Sequence, residues 1–190
     1  MNPMRIKLPV VFATALGAVT LATLAIAQTG VPDGLPWPRG VYIRAGSDWV
    51  GLPANPLLPM MDDFNGRWLL GFGHSDAFAE MPGPHAVIQI GNTKPMFYLR
   101  GLPQANGIYL VHTEQKEDYR RIRMPVTRDF HQFTKLRQQD LVELDMRQVS
   151  GDVLSATPRS DLKAGEYAII SVFDQNERAI RAGFEFGVSR

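Results

Sequence analysis

After residue 40 the chain consists of short runs in which apolar and polar residues alternate, separated by Gly and Pro. Alternation with a period of two is the pattern of a β-strand that is buried on one face. The first such unit surrounds the loop Ala45–Asp48 and predicts a hairpin that pairs Arg44 with Trp49 and Ile43 with Val50. No stretch outside the N-terminal segment sustains an apolar repeat at helical spacing, so the pattern predicts an all-β fold.

A later hairpin is predicted by residues 108–114 and 119–124, which flank a four-residue turn. The spacing pairs Glu114 with Tyr119, and an antiparallel sheet solvated on one side is expected to place core residues on one face and charges on the other. The predicted core face holds Tyr109, Val111, Ile122 and Met124. The predicted charged face holds His112, Glu114, Arg121 and Arg123.

Prolines and glycines mark the breaks between the other elements. Residues 86–90 and 96–99 flank a Gly- and Pro-containing turn and predict one more hairpin. Pro53–Pro59 contains three prolines and is not expected to form a regular strand or the interior of a helix. Residues 127–139 are polar and predict a loop or a short helix.

Four further segments complete the predicted strands: residues 142–146, 153–157, 166–173 and 184–188. In the last of these Phe184, Phe186 and Val188 share a face. About eight to eleven short strands in all predict an antiparallel β-sandwich or a partly open barrel built from hairpins. This domain is expected to span residues 40–190, with a sub-division near 102–106.

Residues 1–27 have the pattern of a secretory signal peptide. Two basic residues and no acid precede a mildly apolar stretch, residues 8–27, which ends in the small-x-small triplet Ala25–Ala27. We therefore expect a signal helix that is cleaved after Ala27, with an uncleaved membrane anchor as the alternative. The Pro- and Gly-rich residues 28–39 are expected to form a linker.

Composition narrows the range of functions. The formal net charge is only +1, and both charges in the signal segment are basic, so no excess of positive charge points to nucleic acid. The absence of cysteine excludes disulfides, thiolate metal sites and a cysteine nucleophile, and it suits an oxidising compartment. We expect a periplasmic or secreted protein without a cofactor, which touches a membrane only if residues 1–27 stay attached.

Three stretches form a recurring pattern: GVY followed by WV, then KPMFY, then PRSDLKAGEYA followed by FEFGV. They occupy residues 40–50, 94–98 and 158–188. The pattern resembles that of uncharacterised exported bacterial proteins with small β-domains. The resemblance implies the fold class and brings no catalytic residues, because none is assigned in such chains.

One stretch approaches a hydrolase motif. Residues 73–77 read GHSDA, one residue short of the G-x-S-x-G turn that exposes a nucleophilic serine, here Ser75. A triad would need Asp118 or Asp129 together with His131. That turn requires an α/β sheet, so the all-β pattern favours an ordinary loop serine.

Two histidine groups are candidates for metal binding. His74, Asp76 and His85 offer nitrogen and oxygen ligands, and His112 with Glu114 forms an i, i+2 pair that faces one way on a strand. The second carboxylate is expected to be neutralised by an opposing arginine, and the first group lacks a definite geometry. The sequence therefore predicts no metal site and leaves His74, Asp76 and His85 as the weak candidates.

Aromatic side chains on the first hairpin are the most specific binding feature. Tyr42 and Trp49 lie on the same predicted face as Arg44, where aromatics can stack a sugar or hold a peptide. The alternative is a second buried layer in which the guanidinium of Arg44 stacks over Trp49.

These observations predict an exported accessory or interaction protein of the cell envelope, with no enzymatic activity of its own. Its partner is expected to be an envelope protein or a glycan. Two alternatives stay open: a small periplasmic hydrolase or metal-dependent enzyme centred on His74, Ser75, Asp76 and His85, and a membrane-anchored subunit of an envelope complex.

Overall fold

A computed structural model describes residues 30–57, 59–61, 76–102, 107–125, 136–172 and 180–189. These ranges contain fifteen β-strands and the 3-10 helix Gln138–Asp140. The strands are β1 Gly40–Ala45, β2 Asp48–Gly51, β3 Ala54–Pro56, β4 Pro59–Met61, β5 Asp76–Pro82, β6 Gln89–Ile90, β7 Phe97–Arg100, β8 Ile108–His112, β9 Glu114–Gln115, β10 Tyr119–Pro125, β11 Leu141–Val142, β12 Leu144–Ser150, β13 Val153–Pro158, β14 Gly165–Val172 and β15 Ile180–Val188. The prediction of an all-β fold is confirmed for these ranges. The predicted signal helix, residues 1–27, lies outside them.

The strands form three sheets, antiparallel apart from one short pairing. Sheet A has the order β12-β13-β7-β1-β2, and sheet C has the order β4-β5-β10-β9. Sheet B has the order β11-β8-β14-β15-β3, with β6 parallel to the end of β15. Fifteen strands exceed the predicted eight to eleven, because the runs 108–115 and 141–150 each divide where the chain passes between sheets.

Sheet B forms the middle layer between two hydrophobic cores. On one side Tyr167 and Ile169 of β14 pack with Val41 and Phe97 of sheet A. On the other side Ala168 and Ile170 of the same strand pack against residues of sheet C. Successive strand residues point to opposite faces, so one apolar run supplies both cores. Phe184, Phe186 and Val188 share the core facing sheet A, as predicted.

The first predicted hairpin is confirmed in its register. Arg44 is paired with Trp49 and Ile43 with Val50. The apolar side of this hairpin faces the core between sheets A and B. Local alternation and a short loop are sufficient here, because both strands meet across a turn of two residues.

The second predicted hairpin is wrong. Residues 89–90 form β6, which pairs with β15 in sheet B, whereas residues 97–100 form β7 in sheet A. There β7 is a central strand, because β1 occupies one of its edges and β13 the other. Both hydrogen-bonding edges are thus taken by strands that are remote in sequence.

The third predicted hairpin is wrong in register and extent. Glu114 pairs with Arg121 rather than with Tyr119, and the pairing is confined to the two residues of β9. At Thr113 the chain turns away from sheet B, where both its amide and its hydroxyl donate to the carbonyl of Glu166. β8 therefore pairs with β14, and Leu110, predicted on the charged face, is buried.

The proline-rich segment also differs from the prediction. Residues 54–56 and 59–61 form β3 and β4, two short strands at sheet edges. An edge strand needs hydrogen bonds on one side only, so it tolerates the missing amide of proline. No helix in the described ranges is long and apolar enough to cross a membrane.

Candidate functional site

The predicted binding residues Tyr42, Arg44 and Trp49 share the outer face of sheet A, as their register requires. Tyr42 is only 7% exposed, and its hydroxyl donates a 2.8 Å hydrogen bond to the carbonyl of Pro38. The Arg44 guanidinium lies 5.7 Å from the centre of the half-buried Trp49 ring. Tyr42 thus belongs to a second buried layer, while Arg44 and part of Trp49 stay accessible.

Residues 30–39, predicted as a linker, supply the cover of that layer. Leu35 is buried in a small cluster with Tyr42 and Val153. The indole nitrogen of Trp49 donates to the carbonyl of Asp33 at 3.2 Å. This part of the chain therefore packs on the domain instead of running free of it.

A tryptophan lies at the surface of the same cover. Trp37 is 85% exposed, and its ring centre is 4.9 Å from the guanidinium of the buried Arg100. Arg100 donates to the carbonyl of Pro36 at 2.9 Å and lies 3.7 Å from a carboxylate oxygen of Asp152. These contacts fix the backbone beside Trp37, so a large apolar side chain is held in solvent by an ordered segment.

We define the outer aromatic surface as the accessible residues of this face and its cover: Trp37, Arg44, Trp49, Met96 and Tyr98. Trp49 and Tyr98 meet edge to face at 5.2 Å, and the Tyr98 hydroxyl donates to the Met96 sulfur at 3.1 Å. Met96 is exposed. Tryptophan, arginine, tyrosine and methionine are the side chains enriched at protein interfaces.

The predicted neutralisation of Glu114 by Arg121 is confirmed. The Glu114 carboxylate accepts hydrogen bonds from the Nε atoms of Arg121 at 2.8 Å and of Arg123 at 2.7 Å. Lys116 Nζ lies 2.6 Å from its other oxygen. The hydrogen bonds from Arg123 and Arg121 hold the pKa of Glu114 well below its usual value. Three cations around one carboxylate disfavour a metal ion beside Glu114.

The weak metal candidates are partly outside the described residues. His74 and Ser75 lie outside them, and Asp76 is described only as the first backbone position of β5, opposite Pro125. His85 Nδ1 is 2.9 Å from a carboxylate oxygen of Glu166. Within the described ranges no three His, Asp or Glu side chains are grouped to hold a metal ion.

Glu166 belongs to a buried charge cluster between sheets B and C. Its carboxylate accepts from the Ala86 amide at 2.8 Å and from the Gln89 side chain at 3.2 Å. Arg120 of β10 is paired with Glu185 of β15 and lies 3.9 Å from Glu166. Burial raises the pKa of Glu185, against the opposing effect of Arg120. The cluster joins two layers and is closed to solvent apart from His85, whose side chain is 65% exposed.

Sequence reasoning missed Trp37 and this charge cluster. Trp37 falls in a Pro-rich segment that was assigned to a linker, although a linker seldom needs a large aromatic residue. Glu166 and Glu185 interrupt strands that are otherwise apolar, and a charge inside such a run is the usual sign of a paired, buried carboxylate.

The chain matches no protein-family model, no curated protein and no solved structure in three comparisons.

Proposed function

We propose that this protein is an exported accessory protein of the cell envelope, which binds a protein partner through the outer aromatic surface and carries out no reaction itself. The observation that carries the proposal is Trp37, held 85% exposed by an ordered segment. An exposed aromatic side chain costs solvation free energy in an isolated domain and regains it when a partner covers it. The signal-peptide pattern of residues 1–27 supports export.

The contacts of the two tryptophans favour a protein partner over a glycan. A sugar stacks on an open aromatic face, but guanidinium groups already lie over both rings, Arg100 over Trp37 and Arg44 over Trp49. Trp49 is further held at its edge by Tyr98. Mixed aromatic, arginine and methionine side chains suit a protein interface.

The edge of sheet A offers a second kind of contact on the same side. β2 is the last strand in the order of this sheet, and Trp49 lies on it. A terminal strand can pair with an extended segment of a partner, while neighbouring side chains provide specificity.

Trp37→Ala is the variant that tests this proposal, and Val87→Ala is its matched control. Val87 is 87% exposed and lies outside the outer aromatic surface. Capture of envelope proteins on the immobilised full chain should yield a partner whose affinity drops about 30-fold or more in W37A and is unchanged in V87A.

Three results would contradict the proposal. The first is equal capture by the W37A and V87A variants. The second is binding of envelope glycan with no protein partner. The third is turnover of an ester or glycoside panel by the wild-type chain that Ser75→Ala abolishes, which would replace the proposal with a hydrolase.

A further inference from the structure

A second surface, distant in the fold from the outer aromatic surface, carries a cavity rich in arginine. We call it the arginine pocket. It has a volume of about 360 Å³ and is lined by His112, Glu114, Arg121, Arg123, Arg137 and Asp140. Arg121 and Arg123 are two residues apart on β10, so both side chains point to one face of the strand.

The charges around this pocket do not balance. Arg121, Arg123 and Lys116 all contact Glu114, and Arg137 lies 3.4 Å from Asp140. Four cations therefore face two carboxylates, which leaves an excess of two positive charges. These side chains are half-buried, where the dielectric is lower than in bulk water and charge interactions are stronger.

Glu114 cannot accept the remaining donors of these arginines. Its two oxygens already take Nε of Arg121, Nε and Nη2 of Arg123, and Nζ of Lys116, which fill the four lone-pair directions of a carboxylate. In the described part of the chain Arg121 donates to a protein acceptor only through Nε. Its guanidinium is also held 4.3 Å from the centre of the Phe78 ring. Arg121 is thus pre-oriented, with terminal N–H groups left for a further oxyanion.

A larger cavity adjoins the arginine pocket. It has a volume of about 530 Å³ and shares His112 and Asp140 with the pocket. Its wall includes apolar and hydroxyl-bearing side chains: Leu141, Val142, Ser160, Leu162 and Tyr167. A ligand can therefore place an anionic group among the arginines and an organic group beside the leucines and the tyrosine.

We propose that these two cavities form a binding site for a small phosphate monoester. The phosphate lies in the arginine pocket, and its organic group lies in the adjoining cavity. A phosphate monoester carries about two negative charges at neutral pH, which matches the excess of two positive charges, and its oxygens suit guanidinium donors. The site is independent of the outer aromatic surface, so either can fail without the other.

Calorimetric titration of the full chain at pH 7.5 tests the assignment with three probes. Phenyl phosphate carries both groups, inorganic phosphate only the anion, and phenol only the ring. We expect phenyl phosphate to bind most tightly, inorganic phosphate about tenfold or more weakly, and phenol not measurably. Vesicles containing phosphatidic acid distinguish a lipid headgroup from a soluble ligand.

Three variants identify the site. Arg121→Gln should weaken phenyl phosphate binding about tenfold or more, and Arg121→Lys should weaken it less, since it keeps the charge and loses the fork. Glu114→Gln should bind about tenfold more tightly, because the excess positive charge rises by one. The matched control is Arg159→Gln: Arg159 lines the adjoining cavity but is bound by Glu143 and Asp145, so affinity should stay within about twofold.

Tighter binding by a charge-removing variant cannot arise from misfolding, which makes E114Q the decisive case. The proposal is overturned if E114Q weakens binding as R121Q does, or if phenol binds as well as phenyl phosphate. It is equally overturned if the chain binds phosphatidic acid vesicles but no soluble phosphate monoester.

Discussion

Arg120 lies between two carboxylates that the fold removes from water. Its Nε donates to the carbonyl of Gly83 at 2.9 Å and its Nη2 to that of Pro82 at 2.7 Å, while Glu185 and Glu166 face its Nη1. A buried ion pair contributes little net stability over an apolar pair, but removing one partner leaves an uncompensated charge. The cluster therefore fixes how sheets B and C align.

Replacing Arg120 should be far more costly than neutralising Glu185. We expect Arg120→Leu to lower the free energy of unfolding by about 3–5 kcal/mol at pH 7, because two carboxylates stay buried without a cation. Glu185→Gln should cost about 1–2 kcal/mol, since Glu166 still balances the charge of Arg120. Urea unfolding of both variants measures the difference. Equal losses would contradict this account of the cluster.

The pH dependence of the R120L variant has a definite sign. Burial raises the pKa of Glu185 in the folded state above its unfolded value of 4.5, so the folded protein binds the extra proton more readily. The stability that this proton contributes is fully present below pH 4.5 and is lost as the pH rises through the folded pKa. R120L should therefore recover part of its lost stability, relative to wild type, between pH 7 and pH 4.5.

Much of this residue-scale detail is absent from the sequence pattern. Alternation predicts which side of a strand Glu185 occupies, but a sheet that is covered on both faces has no solvent side. Arg120 is 65 residues from Glu185 in sequence, so their pairing depends on the packing of layers rather than on any local spacing.

At the scale of the elements, close approach between strands depends on small residues. Gly183 of β15 lies between Ile170 and Asn55 in sheet B, and a Cβ placed on it would come 2.9 Å from Cδ1 of the buried Leu57. The missing side chain allows Leu57 to close the core between sheets B and C.

Gly183→Ala should therefore destabilise the fold by overpacking. We expect a loss of about 1–3 kcal/mol in the free energy of unfolding, because Leu57 is enclosed and cannot move aside freely. Gly151→Ala is the control, since nothing lies within 4 Å of the added Cβ, and its effect should stay within about 0.5 kcal/mol. Thermal unfolding measures both. A G183A variant as stable as G151A would show that the core is looser than described.

The short pairing of β9 with β10 depends on charge. Because its hydrogen bonds to Arg123 and Arg121 lower the folded pKa of Glu114 below 4.5, Glu114 contributes stability above pH 4.5 and loses it as the pH falls. Glu114→Gln should be about 1–2 kcal/mol less stable than wild type at pH 7, and this gap should narrow below pH 4.5. The same substitution at the exposed Glu117 should leave the pH profile unchanged. A gap that is constant from pH 7 to pH 3 would contradict the electrostatic cause.

The elements also show where prediction from sequence succeeds. Ile43 and Val50 meet across a short turn, so alternation and loop length determine their register. Glu114 lies three residues beyond the buried Val111, and between them the chain leaves one sheet for another. Alternation continues through such a bend, but the partner strand changes, and only tertiary packing selects the new partner.

At the scale of the whole molecule, three stacked sheets divide the surface into unlike parts. The outer face of sheet A is covered at one end by residues 30–39 and carries Trp37 and Trp49. The edge of the stack around β9, β10 and β11 carries the arginine pocket. A predicted sandwich has two outer faces, whereas here sheet B is wholly internal and supplies no broad surface of its own.

The candidate surface was predictable in part. Tyr42, Arg44 and Trp49 share a face as their spacing requires, but the burial of Tyr42 follows from a segment that composition assigns to a linker. Proline limits regular structure without preventing a segment from packing, so composition alone could not show that residues 30–39 form a layer.

The central claim is that the outer aromatic surface contacts a protein partner, and site-specific crosslinking in intact cells tests it most directly. A photoreactive amino acid replaces Trp37 in the full chain, and the same amino acid replaces Val87 in a matched control. The account predicts a discrete adduct with an envelope protein from position 37 and none from position 87. No adduct at position 37, or identical adducts at both positions, would contradict it.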